Sequence, residues 1–229
     1  MEVHQVYGRT SSSANRVAAI CHAEPITRLA DLSSDSDYYI FSLKDDAYGD
    51  VLSAMPFQMP CAVHTAGSLP QSLLDGYARH YGVLYPFQTI SKNADFEHLQ
   101  VPLCIEGKDE KSLQLIRNLA CQLSPQVSEI NGDQRAVLHL AAVFGCNFSN
   151  ALYDIAYQLL ASAGIDWEVM RPLLQQTIDK TATMTPHEAQ TGPAVRNDQA
   201  VMEKHWQRLP SEELRRIYKT LSDYIINRR

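Results

Sequence analysis

The chain has 229 residues, 45% of them hydrophobic, enough for one large domain or two small ones with cores of their own. A formal net charge of −6 leaves no basic stripe to meet a phosphate backbone, which argues against nucleic acid as a partner. No apolar run approaches the roughly 18 residues of a membrane span, and the first residues lack the basic and apolar regions of a signal peptide, so the sequence predicts a soluble, cytoplasmic protein with no membrane partner. The five cysteines (21, 61, 104, 121 and 146) show no metal-ligand spacing, so no metal site is predicted. Four sit among apolar neighbours, which suits buried free thiols in a reducing compartment.

In chain order, "EVHQVY" at residues 2–7 alternates like a strand and is followed at once by an arginine and several hydroxyls. "DYYIFSL" (37–43), "PCAVHT" (60–65), "GVLYPF" (82–87) and "VPLCIEG" (101–107) read as further strands. Helical spacing predicts helices over 12–22, 45–54, 69–79 and 109–122 between them. Strands alternating with helices make an α/β sheet covered on both faces. After "SEINGDQR" the pattern is helical. Helices are predicted over 133–163, 166–182, 198–208 and 211–227, with Asp166 and Ser211 as N-caps. The predicted architecture is an α/β domain over 1–127 and an all-helical domain over 128–229.

In a dinucleotide-binding fold the second strand ends beside the adenosine ribose, where an arginine with hydroxyl neighbours suits a 2′-phosphate. "VYGRTSSSAN" offers Arg9, Thr10, Ser11 and Ser12 there, with no acid; the alternative is a polar turn and helix cap. The glycine fingerprint that normally cradles the pyrophosphate is absent, since no two of the ten glycines are separated by a single residue.

"VYGRT", "FSLKDDAYGDV", "VHTAGSLP", "YGVLYPFQTISK", "VPLCIEG", "HLAAVFGCNFSNALY" and "TGPAVRND" together resemble a bacterial family, domain of unknown function 2520. Its members join a Rossmann-like domain to a helical domain of the 6-phosphogluconate dehydrogenase C-terminal type, within the superfamily of ketopantoate and pyrroline-5-carboxylate reductases. The resemblance implies an NADP-dependent oxidoreductase passing hydride between nicotinamide and a small carbonyl or imine. The alternative is a non-catalytic ligand-binding or dimerisation protein on the same fold. The resemblance also implies a strand, glycine-rich turn and helix ahead of "VYGRT". Their lack makes the Rossmann-like domain N-terminally incomplete and predicts weak or absent NADP binding by these 229 residues. The "VHQVY" strand would then pair with "YYIFSL", pair with another molecule, or be poorly ordered.

Ligand crevices of open α/β sheets lie at the carboxyl ends of the strands. Ser42, Leu43, Lys44 and Thr65 stand at such ends, where the resemblance implies the cofactor, together with Arg9, Thr10 and Ser11, and Ser68 and Gln88 are candidates for the substrate. His64 is a candidate proton donor, or else a brace for its own turn. Tyr85 precedes a proline that fixes extended backbone. On a regular helix, His139, Asn147, Asn150, Asp154 and Tyr157 would fall within an arc of about 80°. This stripe either faces a ligand or bonds between helices; it nominates His139 and Asn147 for polarising a substrate and Asn150 for binding it. The lysine that superfamily members often carry four residues before an asparagine is absent, since Val143 precedes Asn147, so the usual lysine mechanism does not carry over. Arg196 in "TGPAVRND" could grip a substrate carboxylate or pair with Asp154. The apolar faces of the helices over 133–163 and 211–227 predict a homodimer through the helical domain.

Overall fold

A computed structural model describes residues 1–89 and 101–228. Residues 90–92, which close the "YGVLYPFQTISK" stretch, lie outside the described residues. The chain forms two compact units, Met1–Ala151 and Leu152–Arg229.

The first unit holds two sheets. Strand β1 (Gln5–Tyr7) leads into helix α1 (Ser11–Cys21) and returns as β2 (Glu24–Ile26), parallel to β1, with Tyr7 opposite Ile26. The second sheet runs β3 (Tyr39–Phe41), β4 (Met59–His64), β5 (Ala78–Pro86), β6 (Leu103–Gly107) and β7 (Val127–Glu129), in that spatial order. Helix α2 (Tyr48–Ser53) links β3 to β4, and α3 (Glu110–Leu123) links β6 to β7. All neighbours in this sheet are parallel except β5 and β6.

Two of the three expectations for β1 do not hold. The strand neither joins β3 nor lacks a partner; it pairs with Glu24–Ile26, a three-residue strand too short and too proline-marked to register as periodic. The two sheets share no ladder among the described residues, so β3 ends one sheet and β1 the other. The side chain of Gln5 connects them instead. It donates to the Asp31 carbonyl (3.3 Å) and accepts from the Ser33 amide (2.8 Å), while the Tyr39 hydroxyl of β3 donates to the Ser33 carbonyl (2.7 Å).

Apolar residues on both faces of β4 explain its interior place: Met59 and Ala62 join one core with Leu74, Tyr39, Phe41 and Tyr48, while Cys61 and Val63 join another with Leu84, Ile105, Ile116 and Leu119. The helix expected over 69–79 is a 3₁₀ turn, Gln71–Leu74, and the chain is already in β5 at Ala78. Long-range pairing of Met59 with Ala78 outweighs the local helical spacing there. Of the five thiols only Cys61 and Cys104 are buried, and Cys121 and Cys146 are exposed, so the expectation of four buried thiols does not hold. Burial pushes the Cys61 thiol up to about 11.

β5 and β6 approach closely at Gly82. A Cβ there would overlap the Glu106 carbonyl oxygen and lie 2.6 Å from Ile116 Cδ1. Gly82→Ala is expected to cost at least about 3 kcal/mol, because the obstacle is a paired backbone that cannot turn aside. Chemical denaturation of the variant checks this; an unchanged midpoint would refute it.

Helix α4 (Gly132–Ala142) starts at a capping box made by Asn131 and Gln134, passes through a π-helical turn (Val143–Phe148) and continues as α5 (Ser149–Ser162). By length and composition the 31-residue stretch Gly132–Ser162 is long and apolar enough to cross a membrane, where the sequence reading expected no run of that kind. In the second unit, Gly164 ends α5 with a positive φ of 69° and Asp166 caps a 3₁₀ turn, Trp167–Val169. The helix expected over 166–182 is therefore this turn followed by α6 (Arg171–Lys180). Helices α7 (Gln199–Arg208) and α8 (Glu212–Ile226) begin at Asp198 and at the expected cap Ser211.

Candidate active site

The parallel strands β3, β4 and β5 end on the same edge of the sheet, and the segment after β4 forms the floor of that edge. It is pinned at four points. Thr65 donates through its amide (3.1 Å) and hydroxyl (3.4 Å) to the Phe41 carbonyl. His64 Nδ1 accepts from the Ala66 amide (3.3 Å) and its Nε2 faces the Pro70 carbonyl (3.2 Å). The Ser68 hydroxyl donates to Asp45 Oδ2 (2.6 Å). The Leu69 carbonyl accepts from Arg135 Nη2 (2.8 Å).

Above this floor, Tyr85 of β5 and His139 of α4 meet, with the hydroxyl 3.0 Å from Nδ1. Gly67 makes the meeting possible: a Cβ at that position would sit 2.9 Å from His139 Nδ1 and 3.1 Å from Tyr85 Cζ. Burial raises the Tyr85 hydroxyl above its ordinary range, helped by Cys104 and opposed by the positive charge of Arg135. The imidazole is exposed and the phenol half-buried, so the pair joins an interior hydroxyl to a solvent-facing ring. A hydroxyl so placed can give a proton to an acceptor at the sheet edge and regain it through the ring.

A family profile, the domain of unknown function 2520, matches residues 101–225, more than half of the chain. The chain belongs to the DUF2520 family. A putative NADP oxidoreductase from Bacteroides fragilis is 38% identical over 98% of this chain and 88% of its own, with a TM-score of 0.90. An imine reductase from Myxococcus stipitatus, solved with NADP+, matches at 15% identity over 97% of this chain and 83% of its own, TM-score 0.59. A reductive aminase from Aspergillus terreus, solved with NADPH and ethyl-5-oxohexanoate, matches at 19% identity over 98% and 85%, TM-score 0.60. The last two show fold alone. No match is found among curated proteins. The fold is Rossmann-like with a helical C-terminal part, as the sequence predicted.

Within this DUF2520 chain, the three residues nominated for catalysis are not brought together by any described hydrogen bond. His64 is fully buried with both ring nitrogens engaged. The Ala66 amide points at Nδ1, so the proton sits on Nε2 and the ring is neutral. Burial lowers its pKa to about 4, with the Pro70 carbonyl opposing and Arg135 assisting. In this arrangement the ring braces the segment after β4, the alternative the sequence left open. Asn147 lies exposed in the π turn, and Asn150 is exposed beyond it. The π turn adds one residue to its turn and so rotates Asn150, just beyond it, by about 100° relative to His139. The predicted stripe is therefore broken, and Asp154 accepts from Gln158 Nε2 (2.7 Å) along its own helix.

Thr10 is the N-cap of α1, accepting from the Ser13 amide (3.3 Å), while Arg9 and Ser11 are exposed. Ser42 and Lys44 are exposed at the end of β3, whereas Leu43 packs against the core. Gln88 accepts from the Thr89 amide (2.9 Å) within its own turn. In the second unit, Arg196 is exposed in a turn whose Gly192 and Asn197 have positive φ, and its anticipated partner Asp154 bonds Gln158 instead. The sequence reading passed over Arg135 and Glu106. Their only trace was an arginine one helical turn before His139.

Proposed function

We propose that this protein is an NADP-dependent oxidoreductase acting on a small carbonyl or imine compound. The observation that carries the reading is the Tyr85–His139 pair, set at the carboxyl edge of a Rossmann-like sheet. The 38% identical Bacteroides fragilis protein supports it. When bound, NADPH supplies the hydride. Tyr85 then gives its hydroxyl proton to the oxygen or nitrogen that gains the electron pair, and His139 returns a proton from solvent.

The chain's residues fit the adenosine end of that cofactor. Arg9 and Ser11 are free at the end of β1, and α1 has no acid in its first turn to repel a 2′-phosphate. Ser42, Lys44 and Thr65 stand along the same strand ends, toward the nicotinamide in this reading. Nothing among these residues fits the pyrophosphate, for which a close pair of glycines is wanting. Calorimetry on this chain is therefore expected to give an NADPH Kd above about 10 µM, less than about 7 kcal/mol of binding free energy. A tighter value would overturn that expectation.

Gly67→Ala is expected to lower NADPH oxidation at least about tenfold against a screen of small keto acids and imines, because it pushes Tyr85 and His139 apart. Tyr85→Phe should do the same. Unchanged rates in both variants would remove the pair from the mechanism. The second reading, a non-catalytic ligand-binding or dimerisation protein, draws on the missing glycine pair and the separate β1–β2 sheet. It predicts no turnover at any NADPH concentration.

We further propose a soluble, cytoplasmic homodimer joined through its helical part. Val137, Leu140, Phe144 and Phe148 are exposed on the long helix, and Leu221 and Tyr224 on α8, and exposed apolar side chains grouped along one helix are what a partner surface offers. Light scattering on the purified protein tests it, a single-chain mass counting against the dimer.

A further inference from the structure

Arg135 is only 2% exposed, yet it is an arginine. Its Nη1 pairs with Glu106 Oε2, and its Nη2 donates to the Leu69 carbonyl. The other carboxylate oxygen, Oε1, accepts from the Gly132 amide (3.1 Å) at the start of α4. Among the described residues Arg135 Nε is buried without a partner, so the guanidinium is not placed for its own satisfaction alone. One cluster thus ties together three separate pieces of chain: β6, the first turn of α4 and the segment after β4.

Those pieces carry or adjoin every group of the Tyr85–His139 contact. His139 is one helical turn beyond Arg135 on the same face of α4. Gly67 is two residues before Leu69. Tyr85 pairs with Cys104 on β6, two residues from Glu106. A buried ion pair gives little net stability compared with apolar residues of the same size, while its forked geometry fixes direction and distance. Sliding or rolling α4 on the sheet would break the contact to Leu69, the pairing with Glu106 and the Gly132 bond at once.

We propose that Arg135 and Glu106 are positioning residues, whose pairing sets the height and rotation of α4 so that His139 Nδ1 meets the Tyr85 hydroxyl over Gly67. The catalytic consequence rests on the reading of that pair as the proton donor; the geometric one does not. The test is nitrogen-15 NMR of the His139 ring at alkaline pH, with NADPH oxidation measured alongside. Two variants are compared with the wild type. Arg135→Met/Glu106→Gln removes both charges and keeps an acceptor for the Gly132 amide. Arg135→Lys keeps a charge opposite Glu106 but has no fork for Leu69.

In the wild type a single tautomer is expected, held by the Tyr85 bond. In both variants the folded protein should show a mixture of tautomers, with kcat lowered about tenfold and KM for NADPH within about twofold. A single tautomer in the folded variants, or a rate loss matching only the unfolded fraction, would overturn the proposal. If one variant does not fold, the tautomer state of the other decides. Wild-type protein without turnover would remove the reductase reading and leave the NMR result to judge the positioning.

Discussion

Acidification from pH 6.5 to 4 is expected to take about 3 kcal/mol from the stability of the first unit through His64 alone. The folded ring is held near pKa 4, mainly by burial, while in the unfolded chain it titrates at its ordinary 6.5. The unfolded state therefore binds the proton first. The contribution is complete above pH 6.5, falls as pH drops through the interval, and is gone below about 4. The structure gives the cause. Protonation would put a charge in a site with no exposed surface, and would turn Nδ1 from an acceptor of the Ala66 amide into a donor facing a donor. Amide hydrogen exchange on β4 and β5 across this range reports the loss. His64→Asn should flatten the profile, and an equally steep slope in that variant would assign the effect to other groups.

Arg135→Ala is expected to be the most damaging single side-chain truncation in the first unit, at about 3–5 kcal/mol, since it leaves the carboxylate of Glu106 mostly buried and without its counter-charge. Replacing both partners by neutral residues of similar volume should cost far less, because the desolvation of two charges disappears with their attraction. Urea unfolding of the single and double variants measures the difference directly. Equal losses in the two would mean that the pair acts through packing and not through charge. The contrast also separates stability from positioning: the double variant should stand up to urea while its His139 ring loses its fixed tautomer.

Local physics explains what was legible. The strands at 37–43, 60–65, 82–87 and 101–107 are dense in β-branched and aromatic residues, and each is found with its ends shifted by a few residues. The predicted helix caps Asp166 and Ser211 are where short polar side chains can reach an orphan amide two and three residues on. Glu24–Ile26 and Val127–Glu129 escaped because a three-residue strand has too little sequence to show a period; its partner strand makes it a strand. The helical stripe misled for a related reason. An angle count assumes a constant 100° per residue, and nothing in "VFGCNF" announces the π turn that resets it.

The amino-acid order alone determined the kind of sheet, the helical second half, the absent glycine pair and the candidate edge where β-strands end, because these depend on side-chain type and short-range spacing. Tertiary structure decided which of the nominated residues meet. It buried His64 as a brace, turned Asn147 and Asn150 to solvent, and joined Tyr85 to His139 across 54 positions of sequence. Such contacts are set by how a helix seats on a sheet, through a buried Arg135–Glu106 pair 29 residues apart, and no local pattern encodes that distance.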